Sequence, residues 1–449
     1  MILIFAPSCS QQDDSPDHLN FLVIMADDVS PELYACYGNA DAVTPKLDSL
    51  AKTGVMFNTC WAAPICSPTR AMIMTGRYAH RTGWYHNALR IPGASGGTDF
   101  KKDHLTFARL LKDLGYSTAL SGKWQLPGKP DDQESGFEEY CIWEPGERNL
   151  PEGSRFNGLL ETEGKLGRYW HPSIVSNGEL LETEPWDFGP DICTDFLIQF
   201  MEKNRDNPFL AYYPMILPHG TVPGRTTTPI SGIVGDQANG TFREGVDYTD
   251  VLLGRLLKAL EEKGLRNNTL VIFTSDNGTP NKNFATNSGS RVPMVISCPG
   301  ILKTRGVSDE LVSLADILPT LVDFANGNLP AGYEVDGISL KPYLTGKSES
   351  HREYLFNYLG TARLVRTKNW LLEAVDEVYD LPQGRLYDCR EGQNTLREVT
   401  GSQEDDAIKA LAELKDILKL YPAIDTNLHS VKAILPAYDK YIHRHMLGN

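Results

Sequence analysis

Residues 20–28 read NFLVIMADD, an apolar run at 20–25 that ends in Ala26, Asp27 and Asp28. Four other short runs take the same form. TALS at 118–121 ends in Gly122, Lys123 and Trp124, and PFLAYYPMI at 208–216 ends in Leu217, Pro218, His219 and Gly220. LVIFTS at 270–275 ends in Asp276, Asn277 and Gly278, and VPMVIS at 292–297 ends in Cys298, Pro299 and Gly300. Short continuous apolar runs suit strands buried on both faces, as in a parallel sheet. Helical spacing lies between them. Residues 105–114 place Phe107, Leu110, Leu111 and Leu114 on one face before a stop at Gly115. Residues 191–203 repeat the pattern with Ile192, Phe196, Phe200 and Met201; residues 245–263 do so with Val246, Leu253, Leu256, Leu257 and Leu260, closed by Gly264. The alternation predicts an α/β fold: a large mixed, mostly parallel sheet, doubly wound and sandwiched by helices. Ligands of such sheets bind at the carboxyl ends of the strands, where Asp27, Asp28, Lys123, His219, Asp276 and Asn277 all fall.

After Gly346 the character changes. Short runs at 354–358, 362–366, 370–375 and 385–387 read as an antiparallel sheet, and residues 405–421 (Ile408, Leu411, Leu414, Ile417, Leu418) as a helix. The expected division is a catalytic α/β domain at 19–350 and a smaller α+β subdomain at 351–449. Residues 1–18 read as the remnant of an export signal and a linker. There a short apolar stretch runs through small residues to Cys9 and then turns polar, as in a lipoprotein signal with Cys9 as the lipidated residue. It lacks a positive start, and Ala6 stands where a leucine is usual. The expected location is outside the cytoplasm, periplasmic or at the cell surface.

Composition narrows the classes further. In 449 residues, 41% are apolar and 22% charged, which excludes a disordered chain. A net charge of −15 argues against nucleic acid as a partner and requires any anionic substrate to meet a locally cationic site. Eight cysteines form no C-x-x-C pair and are too sparse for a disulfide scaffold.

The chemistry concentrates in residues 64–77, PICSPTRAMIMTGR. Ser67 is a good N-cap and Pro68 fits a first helical turn, so a helix is expected to start there, with Arg70 in its first turn and Cys66 just before it. Backbone N–H groups and the dipole would then favour an anion beside Cys66; a buried cysteine ahead of a helix is the plainer alternative. Asp27, Asp28, Asp276 and Asn277 are a second set. Four oxygen donors, three of them anionic, suit Ca²⁺ or Mg²⁺ rather than zinc, although acidic residues after strands also cap helices and make turns.

Residues 64–77 resemble the maturation signature of the sulfatase family, C-x-P-x-R followed by T-G-R, and the resemblance extends over about residues 19–395. It implies an alkaline phosphatase-like fold and an enzyme, a sulfuric ester hydrolase. It also implies that Cys66 is converted to formylglycine by a maturation enzyme, and that the hydrated aldehyde is the nucleophile. Asp27, Asp28, Asp276 and Asn277 match the family's metal ligands, with calcium ahead of magnesium. Residues 115–125 resemble its second signature, in which Lys123 contacts the sulfate. His219, in its Pro-His context, matches a residue that contacts the sulfate or the bridging oxygen and is the candidate general acid. With Arg70, these make Cys66, Lys123 and His219 the expected catalytic set.

Two departures stand out. Gln125 occupies the place of a histidine; it can exchange hydrogen bonds but does not titrate. Residues 279–290 (TPNKNFATNSGS) lack the family's lysine and Tyr-Glu-Gly-Gly-like stretch, leaving Lys282 as the only lysine available. Gln125, Lys282 and His171 are the further candidates for substrate contact. Trp61, Trp84, Tyr85, Trp143, Trp170 and Trp186 are read as loop aromatics that either pack or stack on sugars. The expected substrate is a sulfated carbohydrate. The alternatives are a phosphonate or phosphate ester hydrolase using the same site, and a catalytically impaired glycan-binding relative. The sequence assigns no oligomeric state.

Overall fold

The computed structural model describes residues 18–91, 104–144, 167–219, 227–234, 240–379, 381–425 and 427. Cys9 and the rest of the stretch read as an export signal lie outside them, His18 excepted. The main sheet runs β11-β2-β10-β8-β1-β7-β3-β4-β5-β6, with β9 paired to β2. Its strands are β1 (Asn20–Ala26), β2 (Val55–Trp61), β3 (Ser117–Lys123), β4 (Glu139–Trp143), β5 (Ile174–Ser176), β6 (Glu179–Leu180), β7 (Phe209–Pro214), β8 (Thr269–Ser275), β9 (Arg291–Val292), β10 (Met294–Ser297) and β11 (Gly306–Ser313). The centre, β8-β1-β7-β3-β4, is wholly parallel; β9 and β10 on one side and β5 and β6 on the other add antiparallel pairs. The expected mixed sheet is therefore present. The run at 292–297 is not one strand, however. Pro293 has no N–H to give a ladder, and it separates β9 from β10.

Both faces of β1 are covered, as its unbroken apolar run requires. Phe21, Val23 and Met25 pack with the helices Cys66–Thr75, Phe107–Asp113 and Ile317–Phe324. Leu22, Ile24 and Ala26 pack with the helices Pro45–Lys52, Gly189–Lys203 and Phe242–Glu262. Thr106 and Thr241 cap two of these helices, accepting from the amides of Arg109 and Glu244.

A second, five-stranded antiparallel sheet follows: β12 (Tyr354–Leu359), β13 (Ala362–Thr367), β14 (Trp370–Val375), β15 (Arg385–Asp388) and β16 (Arg397–Glu398), in that order. The helix Asp405–Leu418 buries Ala407, Ala410, Leu414 and Leu418 in the same core as Val365 and Leu372 of this sheet. Polar pins join it to the main sheet. Asn357 Nδ2 donates to Ala62 O at 2.7 Å, and His351 Nε2 meets Asp316 Oδ2 at 3.0 Å.

Two of the tryptophans read as loop residues belong to strands: Trp61 closes β2 and Trp143 closes β4. Trp61, Trp84, Tyr85 and Trp170 are buried and pack in the interior, whereas Trp186 is 55% exposed. Among the described residues no helix is long and apolar enough to cross a membrane.

Gly122 decides how closely β3 approaches β7. Its φ is 123°, and a Cβ there would lie 2.1 Å from the Pro214 carbonyl oxygen. Lys123 follows as the last residue of β3, paired with Trp143. Gly122→Ala must shift one of two central strands and adopt a disfavoured conformation, so a loss of about 2–3 kcal/mol is expected in urea unfolding. A change within about 0.5 kcal/mol, the range of an ordinary surface substitution, would show that this contact does not constrain the sheet.

Candidate active site

Register brings the strand ends to one level. Met25 pairs with Pro214 and Ala26 with Ser275, so the chain leaves β1, β7 and β8 side by side. Asp27 N donates to Leu217 O at 2.9 Å, and Asp276 N donates to Ala26 O at 3.1 Å. Asp28 has a φ of 67°, a left-handed conformation that Asp tolerates better than most residues, and its amide donates to Asp276 Oδ1 at 3.0 Å. Asn277 Nδ2 donates to Asp28 Oδ1 at 2.8 Å. The four residues proposed to hold a metal thus share one buried cluster.

The helix Cys66–Thr75 begins two residues earlier than expected. Cys66 is its first residue and Ile65 its cap, and Ser67 is not the cap. A residue far along the chain serves the helix start instead. Asn87 Oδ1 accepts from Ser67 N at 3.1 Å, while its Nδ2 reaches Cys66 Sγ at 3.5 Å. One turn further on, Arg70 is 1% exposed. Its Nη2 donates to Asp276 Oδ2 at 2.8 Å and Asp27 Oδ2 at 3.2 Å, and its Nη1 to Lys123 O at 2.7 Å. Lys123 Nζ bonds Asp27 Oδ2 at 2.5 Å.

Lys282 arrives on the short loop after Asn277. A Cβ at Gly278 would lie 2.0 Å from Ser288 O, so only glycine lets this loop close, with Gly278 N donating to Gly289 O at 2.9 Å. The loop is held on two further sides: Asn283 N donates to Pro64 O at 2.9 Å, and Ala374 N of β14 donates to Ala285 O at 3.0 Å. Lys282 Nζ then bonds Asp28 Oδ1 at 2.6 Å.

His219 sits at the rim with Nε2 4.0 Å from Asp28 Oδ2. Its Nδ1 meets Arg168 Nη1. A guanidinium only donates, so Nδ1 accepts and the ring hydrogen lies on Nε2, toward the carboxylates. Arg168 lies over the Trp143 ring, 4.4 Å from its centroid, and Tyr169 OH donates to His219 O at 2.5 Å.

Charge is balanced at close quarters. Burial opposes ionisation of Asp27, but the Lys123, Arg70 and Lys282 cations outweigh it and hold the carboxyl well below its usual range. Burial and the neighbouring Asp27 push Asp28 up, and they push Asp276 up to about 6. Burial, with Lys123, Lys282 and Arg168, pushes His219 down to about 3 against the pull of Asp27, leaving it neutral. Burial likewise opposes charge on Lys282, but Cys66, Asp28, Asp27 and Asp276 keep it protonated.

The cluster fits a hard cation. Asp27 Oδ1 and Asn277 Oδ1 are buried without a hydrogen-bond partner, a costly condition that a bound cation relieves. Asp27, Asp28 and His219 also offer ligand atoms within 4.8 Å of one another. Because His219 presents an N–H, the oxygen donors are the better ligands.

Two further candidates lie differently. Gln125 is exposed, with a φ of 51°, two residues beyond Lys123. His171 is 3% exposed and faces Thr183, Glu184 and Asp187, none of them in the Asp27 cluster. Asn87 and Arg168 were not legible in the sequence. Neither lies in a motif, and no spacing ties them to Cys66 or His219. A separate cavity of about 880 Å³, lined by His351, Arg352, Lys368, Trp370 and Tyr421 among others, includes no residue of this site.

An α/β sheet whose strand ends gather three carboxylates and three cations around a helix start suits a cation and an anionic ligand. Comparison with known proteins narrows the class. The family model "Sulfatase" matches residues 19–327, and the model "N-sulphoglucosamine sulphohydrolase, C-terminal" matches residues 276–420. The chain belongs to the sulfatase family and is a sulfuric ester hydrolase. It is 27% identical over 448 residues to arylsulfatase D of Homo sapiens, covering 80% of this chain and 74% of that protein. It is 29% identical over 430 residues to steryl-sulfatase of Homo sapiens, covering 76% and 72%. Among solved structures, BT4656 in complex with its substrate D-glucosamine-2-N,6-O-disulfate superposes with a TM-score of 0.70 at 21% identity, over 90% of this chain and 98% of that one.

Arg70 is the group on which this balance turns. Arg70→Met leaves Asp27 and Asp276 without their shared partner, and breaking a buried pair from one side costs about 3–5 kcal/mol. Chemical denaturation should register that loss. Stability equal to the parent would mean that the carboxylates do not depend on the guanidinium.

Proposed function

We propose that this chain hydrolyses sulfate esters of a sulfated carbohydrate at the site around Cys66, with formylglycine at position 66 and calcium, ahead of magnesium, as the bound cation. The observation that carries the reading is the convergence of Cys66, Arg70, Lys123 and Lys282 on the Asp27 cluster. The hydrated aldehyde supplies an oxygen nucleophile for sulfur, and the cation supplies positive charge for the sulfate oxygens. Asp27, Asp28, Asp276 and Asn277 would hold the cation.

The remaining work falls to side chains. Arg70 fixes the carboxylate floor and does not itself face outward. Lys123 and Lys282 neutralise an ester whose negative charge repels nucleophiles. Asn87 orients the group at position 66. His219 is expected from the family resemblance to protonate the leaving alcohol. Burial keeps it neutral here, so we read it as a hydrogen-bond donor through Nε2 to the ester oxygen, with any proton supplied only after an anion has bound. The carbohydrate substrate is supported by the sulfated sugar bound by BT4656. Export, to the periplasm or cell surface, remains the proposed location, and a maturation enzyme that converts Cys66 the proposed partner.

Peptide mass spectrometry across residues 66–70 should find the thiol replaced by aldehyde when the chain is made alongside a maturation enzyme. That preparation should release sulfate from sulfated sugars and turn over the matching phosphate esters more slowly. Cys66→Ala should fold normally and lose sulfate release by at least about 10³-fold, the scale of a removed nucleophile. Undiminished release would refute the assignment.

The cation has its own readout. Chelation should lower the melting temperature, and calcium should restore it more fully than magnesium, since a ligand at 100 times its Kd adds about 2.7 kcal/mol. A melting temperature indifferent to chelator and calcium would remove the metal from the reading.

A further inference from the structure

Arg168 stands apart from the other cations of the site. Arg70, Lys123 and Lys282 each bond a carboxylate of the Asp27 cluster. Arg168 has no carboxylate partner among the described residues; it meets only the ring nitrogen of His219 and the face of Trp143. Three cations already offset the three carboxylates, so its charge is surplus. It is also only partly buried and so can reach a ligand.

The placement is fixed from several sides. Cation–π attraction holds the guanidinium over the indole and orients its planar fork. Trp143 is rigid as the last residue of β4, paired with Lys123 of β3 and Ile174 of β5. The His219 loop closes the other side through the bond from Tyr169 OH to His219 O. His219 acts as a spacer, with Nε2 toward Asp28 and Nδ1 toward Arg168. A sulfate over the Asp27 cluster therefore has a second cationic fork one imidazole ring away.

We propose that Arg168, seated on Trp143, receives a second anionic group of the substrate, a carboxylate or another sulfate on the same sugar or its neighbour. The enzyme then prefers sugars that carry two anions over those that carry one. This rests on the sulfate-ester reading above. A guanidinium fork pairs with either oxyanion through two parallel hydrogen bonds, so the geometry alone recognises both.

Binding separates this from turnover. The full-length Cys66→Ala chain, in millimolar calcium, is titrated calorimetrically with three sugars matched in their O-sulfate: an N-acetylglucosamine O-sulfate, its N-sulfated counterpart, and the same O-sulfate linked to a hexuronate. At least one two-anion sugar should bind about tenfold or more tightly than the one-anion sugar. In Cys66→Ala/Arg168→Gln that preference should fall below about threefold; Arg168→Met serves if the glutamine variant does not fold. The arm that loses its preference identifies the oxyanion. Equal binding of all three sugars, or a preference that survives loss of Arg168, overturns the proposal. Sulfate release by the aldehyde-bearing Arg168 chain is measured separately: absence of release from every sugar contradicts the sulfatase reading, while the binding preference still decides the role of Arg168.

Discussion

A guanidinium with almost no exposure, set between two carboxylates that have none, is the constraint on which this site depends. Such a charge is tolerated in the interior only while it stays paired. Arg70 therefore fixes where Asp27 and Asp276 can be, and with them the ends of β1 and β8. It also fixes the helix. Cys66 and Arg70 are four residues apart and lie on the same helical face. Pinning Arg70 to the carboxylates thus turns position 66 toward the same pocket. The orientation of position 66 follows from a buried ion pair one turn along the helix.

The central strands were legible because burial on both faces leaves a continuous apolar run. β2 and β11 were not. β2 carries Asn58 and Thr59 in mid-strand, and β11 is an edge strand whose first half, Gly306 to Asp309, is mostly exposed and carries no continuous apolar run. The carboxylate cluster was legible for a different reason: in a parallel sheet the residues after each strand emerge at one end, so Asp27 and Asp276 meet although 249 positions separate them. The helix start was misread by two residues because local capping rules weigh Ser67, whereas Asn87 satisfies that amide from outside the window. Arg168 was invisible for a related reason, since its placement depends on an aromatic face presented by another strand.

The short loop after Asn277 gains its definition from the C-terminal sheet. Asn287 Oδ1 accepts from Trp61 Nε1 at 3.0 Å and from Arg366 Nη1 at 2.9 Å, while Asn287 N donates to Glu373 Oε2 at 2.8 Å. β2, β13 and β14 are thereby joined through one residue of the loop that delivers Lys282. The second sheet is thus more than an appendage. It closes a loop too short to order itself, and a lysine that Cys66 and three carboxylates keep charged is the result. Lys282, the lysine of that loop, thereby reaches Asp28 of the cluster.

The exchange of histidine for Gln125 bears on how position 66 is activated. An amide donates and accepts but takes no proton. Asn87, the side chain that does reach Cys66, is an amide too. Lys282 and Arg70, cations of the same site, are both held protonated by the carboxylates. None of these groups is a base at neutral pH. On the proposed reading, the remaining route to a reactive oxygen at position 66 is electrostatic: nearby positive charge stabilises the anion directly, as it does for thiolates and metal-bound water elsewhere. The same cations that accept the substrate's sulfate would then also favour the nucleophile, so loss of either lysine should affect binding and chemistry together.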